Sequence, residues 1–134
     1  MSAILDDVIA YLDSSLATLT AATNLFATVM PESPDDVVAV TETPGPAPVD
    51  TMGTGAPSVE TPRLQVLSRA EHPATAKARA REAWLALGAI GEGLLGGGDR
   101  RVLRVQVDQS PFVVGRDGND RIIYGFNCQA WRDV

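Results

Sequence analysis

Reactive side chains are scarce in this chain of 134 residues: one cysteine (Cys128), one histidine (His72) and one lysine (Lys77). A single cysteine excludes an internal disulfide and fits a reducing compartment. One thiol and one imidazole fall short of the roughly four N or S ligands of a structural zinc site. The only Cys/His pair open to nucleophilic catalysis is His72 with Cys128, and each has a plainer role. His72 precedes Pro73 at a predicted helix start, where it helps the cap. Cys128 sits in the alternating run Ile122, Tyr124, Phe126, Cys128, Ala130 as a small core residue. No apolar run approaches the roughly 18 residues of a membrane span. Asp6 and Asp7 stand where a signal peptide would be uncharged, so neither export nor membrane insertion is expected.

Positive charge is missing from the first 62 residues, which hold nine acidic ones; from Arg63 onward eleven basic residues accompany eight acidic. The net charge of −6 argues against a nucleic-acid reader that grips phosphates. Two readings of the asymmetry stand. Acidic surface residues keep the chain soluble while the halves mix in space, or one acidic and one basic face favour head-to-tail self-association. In the second, Asp35, Asp36 and Glu42 of one subunit meet Arg63, Arg69, Arg79 or Arg81 of the next, where the planar arginine fork holds a carboxylate with two bonds. Each exposed pair contributes only about 0–1 kcal/mol, so several are needed.

What is present reads as one domain over residues 1–134, with 45% hydrophobic and 21% charged residues. Ile4, Leu5, Val8, Ile9, Leu12, Leu16 and Leu19 form one helical stripe, with Ser2 as N-cap and Asp6 and Asp7 in the early turns. Leu25–Val29 and Val37–Glu42 read as strands of a hairpin-like unit around Pro31–Asp35. Thr43–Pro62 holds five of the nine prolines, and no regular structure is expected there. Arg63–Ala70 reads as a third strand. Pro73 opens a second helix with a stripe of Ala76, Ala80, Ala83, Leu87, Ile90 and Leu94, and Gly96–Gly98 stops it. Leu103, Val105 and Val107 alternate as a half-buried strand, and Phe112–Val114 and Arg121–Trp131 flank a hairpin turn at Asp117–Asn119. This order predicts an α+β fold: a two-layer sandwich, a small antiparallel sheet of about 4–6 strands with two helices on one face.

Other chemical motifs dissolve on inspection. Asp35-Asp36 follows two prolines, and Asp117 and Asp120 bracket a turn without the spacing and closing Glu of an EF-hand. Gly96-Gly97-Gly98 follows a helix and lacks the Gly-Lys-Ser/Thr of a phosphate cradle. Arg79, Arg81, Arg100, Arg101 and Arg104 lack interleaved aromatics, so a solvated face or a protein interface fits them better. No catalytic, metal or cofactor residues are assigned.

The order and spacing of several strings resemble the tail terminator family of long-tailed bacteriophages, also described as phage minor capsid proteins. They are Ile4–Leu12, Asn24-Leu25-Phe26, Pro31 with Pro34-Asp35, Val38-Ala39-Val40, Glu42-Thr43-Pro44-Gly45, Pro62–Val66 with Arg69, the Ala-rich helix, and Asp117–Arg121 before a strand with Asn127. The resemblance implies a structural, non-enzymatic virion protein at the head–tail junction, assembled in the host bacterial cytoplasm. It implies a homo-oligomer, a hexameric ring, that caps the tail tube, ends its polymerisation and presents the tail for joining to the head. Its partners would be the major tail tube protein and a head-completion or joining protein, with dsDNA passing through the lumen without sequence-specific binding. The loop 43–62 is longer than the family pattern. With Val49, Met52 and Val59 as its apolar residues, it either orders on docking to a partner or stays a solvated insertion. Two other classes fit the residues: another head–tail joining or tail-assembly protein of the same fold, and a non-viral α+β module whose sheet takes a peptide strand.

Overall fold

Helix α1 (Ile4–Ser15) buries Ile4, Val8 and Leu12, the stripe expected from three- and four-residue spacing. The computed structural model describes residues 4–43, 49–50, 57–94 and 101–133, so Ser2 and the glycines at 96–98 lie outside the described residues. The helix stops before Leu16, yet Leu16 packs on the core and Leu19 is buried in it. Asn24 ties this exit down: its side chain accepts from the Thr20 N–H (2.7 Å) and donates to the Thr18 carbonyl (2.8 Å).

Strands β1 (Leu25–Ala27), β2 (Val37–Thr43), β3 (Val49–Asp50), β4 (Pro57–Glu60) and β5 (Arg63–Ala70) precede helix α2 (Pro73–Gly88). After it come β6 (Gly93–Leu94), β7 (Arg101–Val107), β8 (Phe112–Arg116) and β9 (Ile122–Asp133). In α2 the buried residues are Ala76, Ala80, Ala83 and Leu87, and small alanines let the helix lie close to the sheet. His72 is its N-cap by backbone position only. Its carbonyl accepts from Thr75 and Ala76 N–H, while its side chain makes no capping bond, contrary to expectation.

The two-layer sandwich with an antiparallel sheet is corrected by the strand pairing. All described strands belong to one mixed sheet, curled into a half-barrel. β1 and β2 run parallel, Leu25 opposite Val38, where a hairpin-like antiparallel unit was expected. The reason for the curl is β9. Its twelve residues pair with β5 and then β4 along one edge, and with β8 and then β7 along the other. Strand twist accumulates over such a length, and irregularities at Val102/Arg104 in β7 and Val113/Gly115 in β8 bend the partners further. The first of these buries Val102, and Leu103 is left only half-buried. Regular structure also enters the segment expected to be a bare loop: β4 begins at Pro57, the first position where a strand tolerates proline, and pairs with the end of β9.

One main core joins both helices to the sheet. Ile4, Val8 and Leu12 of α1 and Ala83 and Leu87 of α2 meet Val38, Val40, Leu64, Val66, Val105, Phe126, Cys128 and Ala130. The Tyr11 hydroxyl donates to the Ala86 carbonyl at 2.8 Å and links the helices. Cys128 is buried as expected of a core residue, and desolvation, with Asp108 nearby, pushes its thiol up to about 12. Beneath α1, Asp7 meets Arg132 (3.6 Å), and Arg132 also pairs with Glu60 of β4, an ionic cluster inside the fold.

Candidate protein-docking surface

The connection from β1 to β2 carries prolines and acids, and two buried arginines hold it. Arg69, at the end of β5, donates to the carbonyls of Pro34 (2.6 Å), Asp35 (3.2 Å) and Glu32 (3.3 Å). Arg121, entering β9, donates to the Glu32 carbonyl, to Asp117 (2.8 Å) and to Asp35 (3.2 Å). Burial, and next the neighbouring Arg121 charge, pull Arg69 below the ordinary arginine value, against the attraction of Asp117, Asp35 and Glu32. Three carbonyls on one short segment thus receive two rigid guanidinium forks, and the segment takes one conformation.

Asp117 completes the arrangement from the turn between β8 and β9. Its carboxylate accepts from the N–H groups of Asn119 (3.0 Å) and Arg121 (2.9 Å). Burial acts to raise its pKa, but these bonds and the Arg121 guanidinium outweigh it and hold the group below its usual 3.8. A carboxyl depressed in the fold contributes stability above its unfolded value and loses it as the pH falls through the folded one. Asp117→Asn is therefore expected to melt lower than the parent at neutral pH, with the difference shrinking steadily below about pH 4. Thermal melts of both proteins from pH 7 to pH 2 check this; a constant difference would refute it.

Beyond this clamp the surface carries apolar groups that no described segment covers. Val29, just after β1, is 65% exposed, and Leu85 on α2 is 53% exposed. Phe112, Val113 and Val114 are exposed on β8, which among the described residues pairs with β9 alone. Leu85 borders an open recess of about 280 Å³ lined by Trp84, Leu85, Gly88, Ala89 and Val107. That volume lies at the small end for a cofactor pocket and suits side chains. The Trp84 Nε1–H is buried there without an acceptor among the described residues. On the same face of α2, four and eight residues before Leu85, lie exposed Arg81 and Lys77. The Arg81 guanidinium stands 5.7 Å from the Trp84 ring centre. Neither cation has an ion pair among the described residues.

The residues proposed from charge lie on different elements, namely the β1–β2 connection, β2, β5 and α2. Asp35 and Arg69 come together, with Arg69 bound to the Asp35 backbone inside the same chain. Arg63 faces Asp108 and Gln129, also within the chain. Asp36 is half-buried, Glu42 is exposed on β2, and Arg79 is half-buried on α2. Val59 on β4 is half-buried opposite Val49 on β3; Met52 lies outside the described residues. Sequence reasoning passed over Arg121, whose signal was its place directly after the Asp117 turn. It also passed over Leu85, which interrupts the polar face of α2.

Among the described residues no group of three or more His, Cys, Asp or Glu side chains is placed to hold a metal ion; these surfaces offer contact. No curated protein matches the chain. A family model described as bacteriophage tail terminator protein matches residues 10–133, nearly the whole sequence. The chain therefore belongs to the bacteriophage tail terminator family.

Proposed function

We propose that this protein assembles as a six-membered ring on the last ring of the tail tube, ends tube growth and presents the tail to the head-completion proteins. The family is structural, and membership makes the chain a component of the phage tail. The observation that supports the finer reading is the distribution of uncovered apolar groups. Val29, the Leu85 recess and the Phe112–Val114 edge belong to three different elements: the connection after β1, helix α2 and strand β8. A ring subunit needs two different surfaces for its neighbours, because a head-to-tail contact is heterologous, and a further surface for the ring it sits on. The mechanism is recognition: an added ring covers the growing end of the tube. Double-stranded DNA would pass through the lumen without base contacts.

The test is deletion of the gene from the phage, with electron microscopy of the particles. Tails of uncontrolled length that fail to join heads are expected, and the protein should be found at the head–tail junction of intact virions. Tails of normal length joined to heads in the deletion would overturn this reading, as would a protein found in infected cells but never in particles.

A further inference from the structure

We infer that the recess at the C-terminal end of α2 receives the Val29–Asp36 segment of a second copy of this chain. The inference rests on the ring reading and names its subunit contact. Three observations carry it. The recess is apolar and open, and Leu85 at its border is exposed although it sits on a helix whose other large apolar residues pack inward. Val29 is the most exposed large apolar residue described, and it is followed by Met30 and then by Glu32, Asp35 and Asp36.

The charges match in the same order. An aliphatic tip followed by Glu32 and Asp36 meets an apolar recess followed, along one helix face, by Arg81 and Lys77, while the Asp35 carboxylate is held by Arg121 of its own chain. Asp36 has no ion pair among the described residues, so a neighbour's cation would be its first. Complementary charge of this kind fixes register and excludes the reversed arrangement.

The clamp supplies the third part. Arg69 and Arg121 hold the carbonyls of Glu32, Pro34 and Asp35, so the segment docks already ordered and loses little freedom on binding. Donor segment and recess are different surfaces, which makes the contact head-to-tail and lets it close into a ring.

The experiment uses the purified full chain. Val29→Cys and Leu85→Cys are made singly and together, with Cys128 buried and silent. On mild oxidation, a mixture of the two single variants is expected to give one disulfide-linked dimer, the double variant a ladder, and each single variant alone none. In parallel, Leu85→Glu is expected to raise the concentration for half-assembly about tenfold or more, measured by light scattering. Lys77→Glu with Arg81→Glu should weaken assembly in a salt-sensitive way, and Glu32→Lys with Asp36→Lys should restore it in the same chain. Val29, Glu32, Lys77, Arg81 and Leu85 are exposed and Asp36 is half-buried, and circular dichroism checks that each variant folds. Rings that persist in Leu85→Glu, with no link between Val29→Cys and Leu85→Cys chains, would overturn this contact and leave the ring reading intact. Wild-type virions without a ring of this chain at the head–tail junction would remove the ring reading, and this contact with it.

Discussion

Arg121→Ala is expected to lower stability by about 3–5 kcal/mol, the usual cost of breaking a buried, hydrogen-bonded ion pair. For a domain of this size that is a fall of roughly 10–20 °C in melting temperature. The side chain is buried and serves Asp117, Asp35 and the Glu32 carbonyl at once. Its removal leaves the Asp117 carboxylate with its two backbone N–H donors and Arg69 at 3.9 Å, and withdraws one of two donors from the Glu32 carbonyl. Some cost is returned, because Arg69 loses a like charge beside it. Arg121→Lys keeps the charge but not the fork, so about half the loss should remain. Calorimetry gives the sizes. Hydrogen exchange gives the place: the amides of residues 29–36 should open first. A loss below about 1 kcal/mol would mean that the loop holds itself.

Asp7→Ala is the second large effect, expected at about 3 kcal/mol in urea denaturation. Asp7 is 2% exposed and faces Arg132, which is itself buried. Without Asp7 the Arg132 charge leans on Glu60. Asp6→Ala, one residue earlier on the exposed side of the same helix, should stay within about 0.5–1 kcal/mol, the scale of a dipole contact in the first turn. Replacing Asp7, Arg132 and Glu60 together with Leu, Met and Gln should recover much of the loss, because a buried ionic cluster exchanged as a whole for uncharged groups is often neutral. Equal effects at Asp6 and Asp7 would contradict this account. In the ring reading, the cluster matters because it fastens α1 to the strand that organises the sheet.

Local pattern determined the parts of this protein that depend on local pattern. The stripe Ile4, Val8, Leu12 specifies α1, and Ala76, Ala80, Ala83 and Leu87 specify the buried side of α2. Alternation from Ile122 onward specifies β9 with Cys128 facing the core. These periods are written into neighbouring residues and need no distant partner. The ordered strings along the chain also pointed to the right family, which the match over residues 10–133 shows. Only the tertiary structure decided that β1 lies parallel to β2, that Pro57–Glu60 joins the end of β9, and that the sheet curls instead of forming a flat layer. Strand direction and partner are set by which edges meet across tens of residues, and periodicity carries no information about that. The same holds for charge. Asp6 and Asp7 look alike in sequence, as do Arg69 and Arg79, yet burial against Arg132 and against the carbonyls of residues 32–35 separates them. A charged side chain acquires its role from the groups the fold gathers around it, and those groups come from elements far apart in the chain.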